Sequence, residues 1–352
     1  MNNKNRLFLI SFLLLLAIAA AVFFTKYRIV KYDENGKVRY RIEEISGTLK
    51  VLRDFAVRDT ASIDKIFLAD KQNNTILLER KSSFWTVNKD YIARRDFVDL
   101  LLETMLKIEV AAPVQQSKLD YVLRSLSTNS TKVEIYQKGK LTKTYYVGGT
   151  TQNNTGTYMI LEGSNAPFEI HIPGFSGFLT TRYITSIYEW RDRMVFKYDV
   201  SDIRSVSLEF PQSPSQSFKA INLGNNRYEL VALESGKRIN NFDTLRVKEF
   251  IARYKNVGFE SYLNYTDEYL KLDSILQTPI LCQYTVEDAK GRKVVLKTYP
   301  RPNFKNTYDE EGNFYNNDVD RFYGVINNDV DLILLQYTYF DLLTKVLDDF
   351  RR

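Results

Sequence analysis

Two stretches of this chain, residues 63–108 and 203–257, carry the same succession of apolar patterns, and any fold for it must accommodate that. The first opens on an alternating run at 63–68, continues in short runs at 75–79 and 84–87, and then sets Val98, Leu101, Leu102, Met105 and Ile108 on one helical face. The second has runs at 203–208, 218–223 and 227–230, followed by Val247, Phe250, Ile251, Tyr254 and Val257 at helical spacing. Few identities are shared, but order and period are.

The parallel continues downstream. In the first copy a minor helical pattern (Leu119, Val122, Leu123, Leu126) precedes runs at 132–136 and 143–147, which flank Lys138-Gly139-Lys140, a hairpin signature. Short strands at 158–161 and 168–172 and an amphipathic stretch with Phe178, Leu179, Tyr183 and Ile187 follow. The second copy answers with a minor helix at 267–276 and a hairpin at 281–286 and 293–299 around Lys290-Gly291-Arg292. Late strands at 322–326 and 332–336 precede a closing helix with Phe340, Leu343, Leu347 and Phe350 on one face. The expected class is α+β: two tandem repeats, each an antiparallel twisted sheet packed on one main helix. The aromatic content of 14% agrees with a strand-rich chain.

Residues 7–24 are apolar except for Ser11 and follow Lys4 and Arg6. At about 1.5 Å per residue the run spans roughly 27 Å, a bilayer core. A retained anchor and a signal cut after Ala19-Ala20-Ala21 both fit; continuation through Val22, Phe23 and Phe24 favours the anchor. The expected organisation is therefore a tail and single transmembrane helix at 1–24, a juxtamembrane segment at 25–60 with a hairpin turn at Asn35-Gly36, and repeats at 61–195 and 196–352. Lys26, Arg28 and Lys31 beyond the run leave the charge rule undecided. The export-like start places the C-terminal domains outside the cytoplasmic membrane.

The net charge of +6 is too small and too dispersed for nucleic acid. One cysteine, Cys282, excludes an intrachain disulfide, and one histidine, His171, excludes most metal chemistry. Neither a cofactor nor a metal centre is expected. Gly174-Phe175-Ser176-Gly177-Phe178 fails as a nucleophile elbow, which needs glycine where Phe178 stands. Gly148-Gly149 lacks the Gly-Lys that a phosphate loop requires and reads as a turn. The acidic stretch from Asp309 through Asp331 lacks calcium-loop spacing and reads as a solvated run. Trp85 reads as core. Arg182, Trp190, Arg191 and Arg193, at the junction of the repeats, are the candidate partner-binding residues, because Trp and Arg are frequent interface anchors.

The chain resembles the membrane-associated domain-of-unknown-function 4340 family. The resemblance lies in Asp54-Phe55-Ala56-Val57-Arg58-Asp59-Thr60, Lys65-Ile66-Phe67-Leu68-Ala69-Asp70, Trp85-Thr86-Val87-Asn88 and Tyr145-Tyr146-Val147-Gly148-Gly149-Thr150. It continues in Gly156-Thr157-Tyr158-Met159, Ile172-Pro173-Gly174-Phe175-Ser176-Gly177 and Trp190-Arg191-Asp192-Arg193. It covers the first repeat well and the second weakly. It implies an anchored extracytoplasmic partner of ABC-type transport or gliding-related export machinery, and carries over no catalytic residue. The expected function is thus a membrane-anchored, non-enzymatic accessory or scaffold subunit with a protein partner in a membrane complex. The alternatives are a cell-wall or surface glycan-binding module and a hydrolase.

Overall fold

The computed structural model describes residues 27–34, 37–44 and 51–351. The expected span at 7–24 and the turn at Asn35-Gly36 lie outside the described residues. Among those described, no helix is long and apolar enough to cross a membrane.

A hairpin of β1 (Tyr27–Glu34) and β2 (Lys37–Glu44) comes first, with Tyr27 opposite Glu44. Then follow β3 (Ile63–Ala69), β4 (Thr75–Arg80), β5 (Trp85–Val87), β6 (Tyr91–Ile92), α1 (Arg95–Lys107), β7 (Glu109–Pro113) and α2 (Gln116–Asn129). Strands β8 (Thr131–Gln137), β9 (Lys140–Thr150), β10 (Thr157–Leu161) and β11 (Phe168–His171) lead to α3 (Ile187–Trp190). The rest of the chain makes β12 (Met194–Lys197), β13 (Ile203–Glu209), β14 (Phe218–Gly224), β15 (Arg227–Ala232) and α4 (Thr244–Ala252). After these come β16 (Asn256–Gly258), β17 (Ser261–Tyr262), α5 (Leu272–Leu276), β18 (Cys282–Asp288), β19 (Lys293–Tyr299), β20 (Arg321–Ile326), β21 (Asp331–Gln336) and α6 (Tyr337–Phe340).

The chain divides into two compact units, Met1–Thr75 with Leu100–Thr185 and Ile76–Asp99 with Ser186–Arg352. In the first unit the strands run β3-β8-β9-β10-β11-β7, each pair antiparallel. Alternation explains the pairing: Val133 and Ile135 of β8 are fully buried, while Lys132, Glu134 and Tyr136 beside them are half-exposed. Lys138 and Gly139 both take positive φ, at 53° and 76°, which closes the β8–β9 hairpin with the twist that the strands require. Burying each such aliphatic side chain contributes about 1.5–3 kcal/mol. Deep in this unit the Tyr145 and Tyr183 hydroxyls share a 3.1 Å hydrogen bond. Burial pushes Tyr145 well above the ordinary phenol range and Tyr183 up to about 12. Elsewhere in the unit, α2 packs Val122 and Leu126 with Tyr158. Gly148 makes that contact possible, because a Cβ there would lie 2.7 Å from Leu126 Cδ2. Gly148 and Gly149 therefore belong to strand β9, not to a turn.

In the second unit the order is β15-β14-β13-β18-β19-β20-β21-β17, with β12 and β16 as a separate pair. β18 alternates, burying Cys282, Tyr284, Val286 and Asp288. α4 starts at Asp243, whose Oδ1 accepts from the Leu245 and Arg246 amides at 2.9 and 3.2 Å. Its buried Val247, Phe250 and Ile251 join Phe218, Leu230 and Phe350 in the core. A smaller cluster holds Tyr299, Tyr323, Leu332 and Ile275.

The expected α+β class, with a transmembrane helix and one main helix under each sheet, is corrected for the described residues: they are mostly β, and none of their helices is long and apolar enough to cross a membrane. The described residues form twenty-one strands against six α-helices, three of them five residues or shorter. The amphipathic stretch around 178–187 is a 3₁₀ turn at Thr180–Arg182 and the single-turn α3. The closing helix breaks into α6 and a 3₁₀ turn at Leu347–Phe350. In the closing segment the Asp349 carboxylate accepts from the Val346 amide, so it caps a new turn instead of extending the first helix. Taken strand by strand, β3-β8-β9-β10-β11-β7 and β13-β18-β19-β20-β21-β17 nonetheless have one order.

Candidate functional site

Three of the four residues chosen from sequence come together in the second unit. Trp190, at the end of α3, is fully buried with its ring 4.5 Å from that of Phe97. Its carbonyl accepts from the Arg94 amide at 2.7 Å. Arg191 donates to Asp331 through Nη2 at 2.6 Å and Nη1 at 3.1 Å. Its guanidinium lies 4.1 Å from the Tyr91 ring centre and 4.3 Å from that of Tyr262. Burial opposes the charge on Arg191, but the bond to Asp331 together with the charges of Asp331, Tyr262 and Tyr91 holds the group above its ordinary value. With both side chains 6% exposed, this pair is desolvated, so losing either partner would strand a buried charge. Arg193 is half-buried; it donates to Glu189 at 2.7 Å and to the Glu260 carbonyl at 2.8 Å. Arg182 belongs to the first unit, donates to Thr104 Oγ1 at 2.8 Å, and lies 4.6 Å from the Phe175 ring centre. Trp190 and Arg191 thus hold the second unit together from inside. Their burial keeps them from meeting a partner directly, so Arg182 and Arg193 are the two of the four that reach the surface.

The other sequence candidates are scattered. His171 ends β11, half-buried, and Ser176 stands exposed in the following loop. Trp85 is buried in β5, with the Arg80 guanidinium 4.5 Å from its ring centre. The carboxylates of the acidic stretch are spread over separate cations of the chain. Asp318 accepts from Arg301, Asp320 from Lys305, Asp329 from Lys297 and Asp331 from Arg191. Among the described residues, no three His, Cys, Asp or Glu side chains cluster to hold a metal ion.

The connection between β19 and β20, residues 300–320, is what stands out instead. Arg301 clamps its base, donating through Nε and Nη2 to Glu268 at 3.0 and 3.1 Å and through Nη1 to Asp318 at 2.6 Å. Tyr323 donates to the same Glu268 at 2.6 Å, and burial together with that bond pushes the phenol far up. Asp318 in turn accepts from the Asp320 and Arg321 amides. Burial would raise its pKa, but these amides and Arg301 hold it below the ordinary value.

Further along, Asn303 fixes the two arms of the loop. Its Nδ2 donates to the carbonyls of Thr307 and Tyr315 at 2.9 and 2.8 Å. Its Oδ1 accepts from the Thr307 amide and hydroxyl at 3.2 and 3.1 Å. Bridges pair Pro302 with Asn317 and Tyr308 with Phe314. At the tip, Asp309 accepts from the Glu311 and Asn313 amides, and Gly312 turns the chain at φ 85°. The Asn313 side chain and these amides hold Asp309 below the ordinary carboxylate range.

On this frame Phe304, Tyr308, Phe314 and Tyr315 stay 49, 59, 47 and 38% exposed. A connection of this length is ordinarily costly to order. Here its own side chains order it, and it holds large apolar groups in water beside Asp309, Glu310 and Glu311. Charge patterning alone marks only the acids of this loop. The available signal was the long gap between the strands ending at Tyr299 and beginning at Phe322, filled with aromatic residues.

The sequence pattern of a family described as Domain of unknown function (DUF4340) matches residues 85–274, over half of the chain. No curated protein and no solved structure matches. The 300–320 loop lies beyond the matched residues.

Proposed function

The chain belongs to the DUF4340 family, and from that premise we propose that it is a non-enzymatic accessory or scaffold subunit that docks a protein partner through the 300–320 loop. The observation that carries this reading is the loop's preformed display of Phe304, Tyr308, Phe314 and Tyr315. Aromatic side chains on an ordered loop give contact area with little ordering cost left to meet on binding. The acidic tip selects the partner's charge: Asp309, Glu310 and Glu311 stand out on a chain of net charge +6, and favour an apolar pocket with a basic rim. The apolar run at 7–24 supports a subunit held at the membrane with its C-terminal units on the extracytoplasmic side. There, effective concentration lets a modest affinity suffice. The family resemblance suggests ABC-type transport or gliding-related export as the setting.

The test is co-purification from gently solubilised membranes after crosslinking, with bands identified by mass spectrometry. Tyr308→Ala with Phe314→Ala should cut the recovered partner about tenfold or more and leave the thermal unfolding midpoint unchanged. Undiminished recovery of the partner by the double variant would sink the reading.

A further inference from the structure

We propose a second binding site, independent of the loop: an open strand edge on β16 that takes an extended apolar peptide ending in a free carboxylate. Parity along residues 255–260 sets which backbone groups face which way. The Lys255 carbonyl accepts from Tyr198 and the Phe259 amide donates to Arg193, so odd-numbered residues face the β12 side. The Glu260 amide donates to the Leu334 carbonyl of β21, so even-numbered residues face the opposite side. The outward groups at Asn256 and Gly258 therefore point where a longer β21 would run. But β21 stops at Gln336 and the chain turns into α6 at Tyr337. Asn256 and Gly258 are both exposed. A strand edge without its neighbour is a template for another extended segment.

The space left by the missing strand is a groove of about 740 Å³, between residues 256–260 on one side and Gln336 to Leu343 on the other. Val257, Phe340 and Leu343 are buried along it. Tyr339 and Leu342 stand on its rim 67 and 58% exposed, although both are large and apolar. That lining suits alternate apolar side chains of an extended ligand, and the volume is that of an ordinary ligand cleft.

Direction and charge identify the ligand's end. A segment antiparallel to β16, taking the place that β21 vacates, leads away from Gln336 and ends beside Arg253. The Arg253 guanidinium donates to the Leu342 carbonyl at 2.6 Å and forms no ion pair among the described residues. It is exposed and lines the same groove. At the other end Glu260 is occupied, accepting from Arg321 and Gln336 at 2.7 Å each. The site thus offers a short ladder, an apolar wall and one cation without a carboxylate partner where a C-terminal carboxylate would fall.

The test uses the full chain and fluorescence polarisation with three labelled hexapeptide pools, each ending in Leu, Ile, Val or Phe. One pool carries a free carboxylate, one a C-terminal amide, and one a free carboxylate with N-methylated backbone amides. The free-acid pool should bind saturably, and the amidated and N-methylated pools at least about tenfold more weakly. Arg253→Gln, which keeps a donor for the Leu342 carbonyl, should bring the free-acid pool down to the amidated level and leave the amidated pool unchanged. Leu342→Asp should weaken all three pools. The proposal is overturned if no pool binds, if acid and amide bind alike, or if Arg253→Gln weakens both equally. The loop variants Tyr308→Ala and Phe314→Ala should not alter peptide binding, so this site and the loop stand or fall separately.

Discussion

The connection from β9 to β10 and the connection from β19 to β20 occupy the same place in two sheets whose corresponding strands run in one order. The first is residues 151–156, closed by Thr151. Its amide donates to the Gly156 carbonyl at 2.9 Å and its hydroxyl accepts from the Gly156 amide at 3.0 Å. The second is residues 300–320, with Arg301 at its base, Asn303 at its waist and exposed aromatics along its arms. One does no more than turn the chain. The other holds large apolar side chains in water at a cost that the sheet does not require. Sheet order tolerates this difference because alternation along each strand fixes the pairing locally, whatever lies between strands. An elaborated connection on a retained frame is where a binding role would be added.

The largest expected effect comes from making the two connections alike. Replacing residues 303–316 by Thr-Gln-Asn-Asn-Thr-Gly, the sequence at 151–156, should abolish partner recovery, by about a hundredfold or more. Arg301, Asp318 and the sheet would be retained. Circular dichroism and the unfolding midpoint check that the second unit still folds. If it does not, the loop is a structural element and the contrast with 151–156 loses its meaning.

A smaller effect separates the ways in which the two connections are held. Asn303 is 8% exposed and holds both arms through four part-buried hydrogen bonds, all of which Asn303→Leu removes, at a cost of about 2–3 kcal/mol. Thr151→Val removes one hydroxyl, which accepts from the buried Gly156 amide, and should cost about 1 kcal/mol. Urea denaturation of both variants measures the difference. Equal costs would mean that the long loop is no more internally built than the short turn.

The smallest effect is on pH. Asp318 has its folded pKa below the ordinary 3.8, so its ionised form contributes stability in full above that value. The contribution is lost as pH falls through the folded pKa. Amide exchange followed from about pH 6 to about pH 2 should show the 300–320 loop loosening at the acid end. Residues 151–156 contain no titratable side chain and should not respond through their own groups. A loop indifferent to acid would show that the Asp318 and Asp309 turns do not hold it.

Much of this molecule could be read before its structure. Alternating runs marked β8, β9, β18 and β19, and Lys138-Gly139 and Lys290-Gly291 marked their turns, because period-two patterning and left-handed turn residues are local properties. Apolar spacing by itself overstates the helix content. The apolar spacing at 178–187 and 340–350 looks helical, but the first forms only short turns, and in the second the Asp349 carboxylate caps a new turn at Val346. Trp190 and Arg191 looked like surface anchors because Trp and Arg often are. Only the fold could bring Asp331, 140 residues away, onto Arg191 and close Tyr91 and Tyr262 over it.

Composition and local pattern by themselves determined a strand-rich chain with one cysteine, one histidine, little excess charge and hairpins at known places. Those depend on residues near one another in sequence. The tertiary structure alone decided that Asn303 lies buried at the waist of an ordered loop, and that β21 ends where β16 still needs a neighbour. Both outcomes depend on which distant backbone groups are satisfied and which are left open, and no short stretch of sequence carries that information.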